Sequence, residues 1–425
     1  MYSKDMPPTT PSLPLAAASA RLMRTACLLI LLLLPGASCV LNGEPVSEAA
    51  GPRTGAAGQS TSQRDMDYTP VLVPDNEADA LKALEEQELE FSIHGYHLAL
   101  RKGREDLYRL YLQAGIDPLA EDDFSRSAGT PPIMAAVDGG NPAIVSRLLE
   151  LGADVNQRLA VRNGTVIHMA ASKGNAEVVR LLVEHGADIE AEDEDGWTAV
   201  FYAALSGDLE TIQYLCDQGA DIQRTTGEGF TPLIAGMENG QLEVARLLVE
   251  LGVDIHARDS YGGSALWLSV QNQKPQILEY LISLGAEVNV RSDQIPPTLH
   301  QASAQGHVEC VEILIANGAD LFLLDERYGQ TALHFAANRG RRRISQMLLD
   351  AGVRPEVRDS EGRTALDLAV EMRNQFFERG DPEGTGPREV PSQKDPEYMT
   401  EVDYDGTVAL LESVNTTPVD ESALE

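Results

Sequence analysis

The residues of this 425-residue chain that could do chemistry are eight histidines, four cysteines and 66 acidic side chains. Zinc or nucleophilic catalysis needs some of these to converge at defined spacings, and the sequence has no His-Glu-x-x-His, no G-x-S-x-G and no glycine-rich phosphate loop opening a helix. His94-x-x-His97 is one weak pair. His97, His168, His300 and His334 instead recur at a single position of a repeating stretch. One histidine per repeat is architecture rather than a ligand set. Cys27 and Cys39 lie near the N-terminus, while Cys216 and Cys310 hold equivalent apolar positions too far apart to bridge. Neither a disulfide framework nor a zinc spacing results, and the carboxylates fall on turns and helix surfaces where water solvates them. The expectation is no catalytic residue, no metal and no cofactor.

The elements that carry these residues repeat. Glycines at 115, 152, 186, 219, 252, 285, 318 and 352 end similar segments, and from Gly152 the steps are 34, 33, 33, 33, 33 and 34 residues. A one-dimensional stack of like units requires such spacing; a single central core does not. In the stretch from Asn163 to Asp193, Val166, Ile167, Met169, Ala170 and Ala171 belong to a short first helix, and the alanines admit a close neighbour. Gly174 turns the chain. Ala176, Val178, Val179, Leu181, Leu182 and Val183 then form a second helix, with Glu177, Arg180 and Glu184 facing water. Gly186 suits a left-handed C-cap. An extended run leads from there to the turn Asp193-Glu194-Asp195-Gly196.

This unit resembles the ankyrin repeat. The residues that carry the likeness include Gly229, Thr231, Pro232 and Leu233, and again Gly329, Thr331, Leu333, His334, Ala336 and Ala337. It covers about Phe91 to Val414 in about nine repeats. The resemblance implies an all-α solenoid of stacked helix–loop–helix units with projecting β-hairpins. It also implies that the recurrent histidine bonds to backbone near the hairpin; Trp267 stands in its place in the sixth repeat. The seventh begins Ile295-Pro296-Pro297 and lacks the turn glycine.

The ankyrin-repeat domain is expected over 75–414, opening with a helix capped by Asp75 or Asn76 and a degenerate first repeat. Its link to the second repeat passes through Phe124. The ninth repeat begins at Gly362, and its second helix is expected around Val408, Leu410 and Leu411 after an insertion at 375–403. Residues 415–425 read as a tail without order, and 40–74 as a flexible linker. Arg21 and Arg24, the apolar run 26–34 and the small residues after it read as a secretory signal over 1–39, too short for a comfortable membrane span. Met23 would start a signal of ordinary length. Gly36-Ala37-Ser38-Cys39 resembles the bacterial lipobox, departing from it at Gly36. Lipidation of Cys39 and simple cleavage after Ser38 both fit. The expected location is the bacterial periplasm or outer membrane, with membrane contact only through that anchor.

The formal net charge of -33 repels phosphate backbones, so nucleic acid is not an expected partner. The resemblance implies a protein partner held by hairpin tips and the first-helix face. Aromatics make up 5% of the chain, so their placement there is informative: Trp197, Tyr202, Phe230, Tyr261, Tyr328 and Phe335 are the candidate anchors. The acidic tip Glu192, Glu194 and Asp195, together with Asp193, would steer a basic partner. The same residues could instead lie against neighbouring hairpins. The expected function is a non-enzymatic, monomeric protein–protein interaction scaffold; the alternative is an inhibitor or immunity-type protein blocking a basic toxin or enzyme.

Overall fold

The computed structural model describes residues 74, 76–122, 130–159, 162–379 and 402–415. The expected signal over 1–39, the start at Met23, lipidation at Cys39 and nearly all of the 40–74 linker lie outside them. So do Phe124, positions 380–401 of the insertion and positions 416–425 of the tail.

The described residues fall into two compact units that divide between Val161 and Arg162. The first contains α1 (Glu77–Glu86), α2 (Ile93–Arg101), α3 (Glu105–Gln113), α4 (Pro132–Gly139) and α5 (Pro142–Glu150). Asn76 caps α1, its side chain accepting from the Asp79 N–H at 2.9 Å. Helix α1 packs on α3, α2 stacks on α4, and α3 on α5. The approach of α2 and α4 is close enough to require Gly139, because a Cβ there would stand 2.0 Å from the Leu100 carbonyl oxygen.

The second unit begins with α6 (Val166–Ser172), α7 (Ala176–Glu184), α8 (Ala199–Ser206), α9 (Leu209–Asp217), α10 (Pro232–Gly236) and α11 (Leu242–Glu250). It continues through α12 (Ala265–Gln271), α13 (Pro275–Ser283), α14 (Thr298–Gln305), α15 (Val308–Ala316), α16 (Ala332–Asn338) and α17 (Arg342–Asp350). It closes with α18 (Ala365–Arg379) and α19 (Tyr404–Asn415). Even-numbered helices from α6 to α18 stack on one another, and odd-numbered helices from α7 to α19 do the same. The architecture is all-α, as the spacing predicts. Alanines 170, 171, 203, 204, 235, 336 and 337 are fully covered, so backbones in the first row approach without side chains between them. In the second row α7 buries Ala176, Val178, Val179 and Leu182 and turns Glu177 and Glu184 outward. Gly186 ends that turn at φ 88°, a conformation that favours glycine.

The projecting loops form no regular strand among the described residues, only isolated bridges such as Arg258 to Ser264 and single backbone bonds across each turn, such as the Asp193 N–H to the Trp197 carbonyl. In four of them an aspartate side chain also closes the turn. Asp193 accepts the N–H groups of Asp195 and Trp197, both at 2.9 Å. Asp259 accepts those of Tyr261 and Gly263, and Asp359 those of Glu361 and Arg363. Asp325 does the same for Arg327, Tyr328 and Gln330 in the hairpin that leads into the eighth repeat, where the turn to Gly329 is one residue longer. Such carboxylate-to-backbone bonds fix a turn without a partner strand.

At the C-terminal end α18 extends for 15 residues, so positions 375–379 continue it as helix. Helix α19 packs on α17 and α18, with Val408 and Leu411 buried and Leu410 partly covered. Tyr404 donates its hydroxyl to the Asn338 carbonyl at 3.2 Å.

Candidate partner-binding surface

In four layers the recurrent histidine ties the first helix to the hairpin beyond it. His168 Nε2 lies 2.9 Å from the Ala191 carbonyl and 3.1 Å from that of Trp197, while Nδ1 accepts the Thr165 N–H at 2.9 Å. Those partners require the Nε2–H tautomer. His334 repeats the arrangement with the Arg363 carbonyl and the Thr331 N–H, both at 3.2 Å. His97 reaches the Ala120 carbonyl at 2.8 Å and His300 that of Gln330 at 3.0 Å. Trp267 fills the slot in its layer by donating its indole N–H to the Pro296 carbonyl at 3.0 Å. In these layers one donor atom at this register makes the tie, and tryptophan supplies it as well as imidazole does, while Phe201 and Ile234 fill the same position without a donor. Burial lowers the pKa of all four histidines, that of His300 to about 4. Burial is what lowers the value at His300; its Nδ1 has no partner among the described residues because Pro297, the residue that caps α14, has no N–H to donate.

The aromatic candidates divide by exposure. Trp197, Tyr202 and Phe230 were expected at an exposed surface and are instead covered, with 7, 5 and 6% of their area accessible. The hairpin folds back over its own first helix, so the residue after the turn glycine points beneath the tip. Trp197 packs on Phe201 and Tyr202 with ring centroids 5.5 and 5.4 Å away. Tyr202 stands edge-on to His168 at 5.5 Å and donates its hydroxyl to Asp193 at 2.6 Å. Burial, with Asp193 beside it, raises the Tyr202 pKa. Phe335 repeats the edge-on contact against His300 at 5.3 Å and remains half-buried. Tyr261 and Tyr328 are also half-buried, and Arg327 lies 5.7 Å from the Tyr328 ring centre.

The acidic tip is less free than expected. Asp193 is buried and committed to its turn. Glu192 and Glu190 grip Arg224, and Asp195 pairs with Arg162 at 3.0 Å. Glu194 is exposed, and its backbone N–H donates to the Arg162 carbonyl.

Reactive chemistry gains no support from the geometry. Burial raises the thiol pKa of Cys216 to about 11 and of Cys310 to about 12, which suppresses the thiolate. His94 is bonded to Asp122 at 3.0 Å, and no metal-holding cluster occurs among the described residues.

Two side chains that sequence reasoning passed over stand out. Phe322 and Leu324, on the hairpin after α15, are 56 and 41% exposed. The signal was present: they occupy slots that hold Asn289 and Arg291 one repeat earlier.

Several known proteins share stretches with this chain. The transient receptor potential cation channel subfamily A member 1 homolog of Caenorhabditis elegans is 33% identical over 103 residues, 24% of this chain and 8% of that protein. The E3 ubiquitin-protein ligase KEG of Arabidopsis thaliana is 34% identical over 105 residues, 24% of the chain and 6% of that protein. The B-cell lymphoma 3 protein homolog of Mus musculus is 36% identical over 100 residues, 23% of the chain and 21% of that protein. The matched region thus spans less than a quarter of each relative's length. The crystal structure of the human ASB11 ankyrin repeat domain superposes with a TM-score of 0.45 at 24% identity, covering 51% of this chain and 99% of that one. A family model described as "Ankyrin repeats (3 copies)" matches residues 133–226, 223–292 and 299–378. Those matches take in more than half of the 425 residues and coincide with the stacked helix pairs, so the chain belongs to the ankyrin-repeat family.

Proposed function

We propose that this chain, an ankyrin-repeat protein–protein interaction scaffold, takes a basic protein partner on the hairpin and first-helix face of the unit that begins at Arg162. The observation that supports this most is the exposure of Glu192, Glu194 and Asp195 at a hairpin tip of a chain with net charge -33. The acidic groups at this tip outnumber Arg162 and Arg224, which pair with them, and such a net excess of one sign accelerates encounter with its opposite and repels like-charged competitors. Half-buried Tyr261, Tyr328 and Phe335 serve as contact surface, while Trp197, Tyr202 and Phe230 hold the hairpins from below. A surface already folded loses little entropy on binding. Export, with a lipid at Cys39 as tether, is part of the same proposal and rests on the basic, apolar and small-residue sequence before Cys39. Phase partition in detergent of wild type against Cys39→Ser tests the tether, and equal partition removes it.

The binding site is tested by cross-linking the full chain in cell-envelope extract and measuring the affinity of the captured protein. Glu192→Gln, Glu194→Gln and Asp195→Asn together are expected to weaken binding about tenfold at low salt and to flatten its salt dependence. Unchanged affinity of the triple variant removes this tip from the site. Capture of one protein at one-to-one stoichiometry, with steep salt dependence, turns the reading toward an inhibitor.

A further inference from the structure

In the unit that begins at Arg162, three pairs of neighbouring hairpins are laced together by a polar side chain four residues after the glycine that follows a second helix. Glu190 accepts the Asp221 N–H at 2.8 Å. Gln223 donates to the Gly252 carbonyl and accepts the Asp254 N–H. Asn289 donates to the Gly318 carbonyl at 3.0 Å and accepts the Asp320 N–H at 2.8 Å. His256 keeps the slot polar. In the next hairpin the slot holds Phe322, whose ring can neither donate to the Gly352 carbonyl nor accept the Arg354 N–H. The stacking bond is given up, and the ring gains no cover in exchange: it is the most exposed large hydrophobic side chain among the described residues. Leu324, two residues on, replaces the polar or charged residue found at its register in Glu192, Thr225, Arg258, Arg291 and Arg358.

The charges around this tip also differ from the rest. Three hairpin arginines elsewhere are neutralised, Arg162 by Asp195, Arg224 by Glu190 and Glu192, and Arg258 by Glu287, whereas exposed Arg291 forms no ion pair among the described residues. Arg354 lies with its guanidinium carbon 5.8 Å from the Phe322 ring centre, Arg327 sits against Tyr328, and Arg358 donates to the Gly362 carbonyl. None of these three forms an ion pair within 4.0 Å among the described residues, although exposed Glu326 and Glu356 adjoin them in sequence and Asp367 feels the charge of Arg358. An aromatic ring and a leucine beside unpaired guanidinium groups form a mixed apolar and cationic spot in an acidic protein.

We propose that Phe322 and Leu324, flanked by Arg327, Arg354 and Arg358, form a second docking site whose occupant is an acidic protein segment carrying an apolar side chain between carboxylates. The apolar residue covers Phe322 and Leu324, and its flanking carboxylates take the arginines as bidentate partners. This rests on the scaffold reading but assigns the opposite partner polarity to a different tip.

The test is selection of a random linear peptide library on the full chain and, in parallel, on Phe322→Asn. That substitution restores the residue of the Asn289 slot, so its melting temperature is expected to equal or exceed wild type; a marked fall shows that Phe322 is structural and overturns the proposal. Peptides enriched on wild type are expected to be rich in Asp and Glu around a Leu, Phe or Trp, and to bind Phe322→Asn and Arg354→Glu about tenfold or more weakly. Basic peptides, or the same pool on both baits, overturn the site while leaving the acidic-tip scaffold reading intact. Wild-type binding to phosphatidylglycerol vesicles that Phe322→Asn abolishes also overturns it, and reassigns the spot to a lipid surface.

Discussion

Trp197 follows a turn glycine and therefore reads as a loop-tip residue, yet the hairpin doubles back and covers it with Phe201 and Tyr202. Its removal is expected to open a cavity and cost about 3–5 kcal/mol. Urea unfolding of Trp197→Ala measures this; an unchanged midpoint means that the ring is not structural. His300 gives the other prediction at this scale. Burial holds its pKa near 4, below the ordinary 6.5, so the folded state favours neutral imidazole. A depressed histidine gives stability that is complete above about pH 6.5 and lost as pH falls toward 4, because the unfolded chain binds the proton first. The window is worth roughly 3 kcal/mol. His97, His168 and His334 shift in the same direction. Asp359, held at about 2 by Gln330 and Arg363 against the upward pull of burial, loses its contribution only at still lower pH. The unfolding midpoint should therefore fall between pH 7 and pH 4.5, and fall less in His300→Gln. Equal slopes in the two chains would place the acid sensitivity elsewhere.

At the scale of elements, a helix pair cannot bury its own apolar face and relies on the next pair to do so. The end of the series therefore needs a cap. Helix α19 covers α17 and α18 with Thr407, Val408 and Leu411, and Tyr404 lies over Gly340. Truncation before Tyr404 is expected to lower the melting temperature by several degrees and to raise binding of a hydrophobic dye. If neither changes, α19 is not the closing element. The pairing of α18 with α19 could be anticipated from the apolar pattern of 408–411, since burial by a neighbouring pair leaves a repeating trace. The continuation of α18 to Arg379 could not, because polar residues carry no period that separates an exposed helix from a loop.

For the molecule as a whole, a charge of -33 opposes compaction. Screening shortens the reach of that repulsion to about 8 Å at physiological ionic strength. The melting temperature is expected to rise from low salt to about 0.15 M and then level off, and differential scanning calorimetry across that range checks it. A fall over the same interval would mean that favourable pairs such as Arg224 with Glu190 outweigh the net repulsion.

The repeating glycines, the alanine-lined first helices and the histidine register were enough by themselves to define an all-α stack, because each follows from backbone geometry that every layer must satisfy in the same way. Phe322 was equally visible as a departure from Asn289 one repeat earlier, but the departure has meaning only once the bond made by Asn289 is known. Which aromatic rings face water was decided by tertiary structure alone. Trp197, Tyr202 and Phe230 owe their burial to hairpins folding over helices and to the adjoining layer, and local sequence does not encode how far a loop leans. The same holds for charge: Asp193 and Glu194 are neighbours in the chain, yet one closes a turn in the interior and the other stands in solvent.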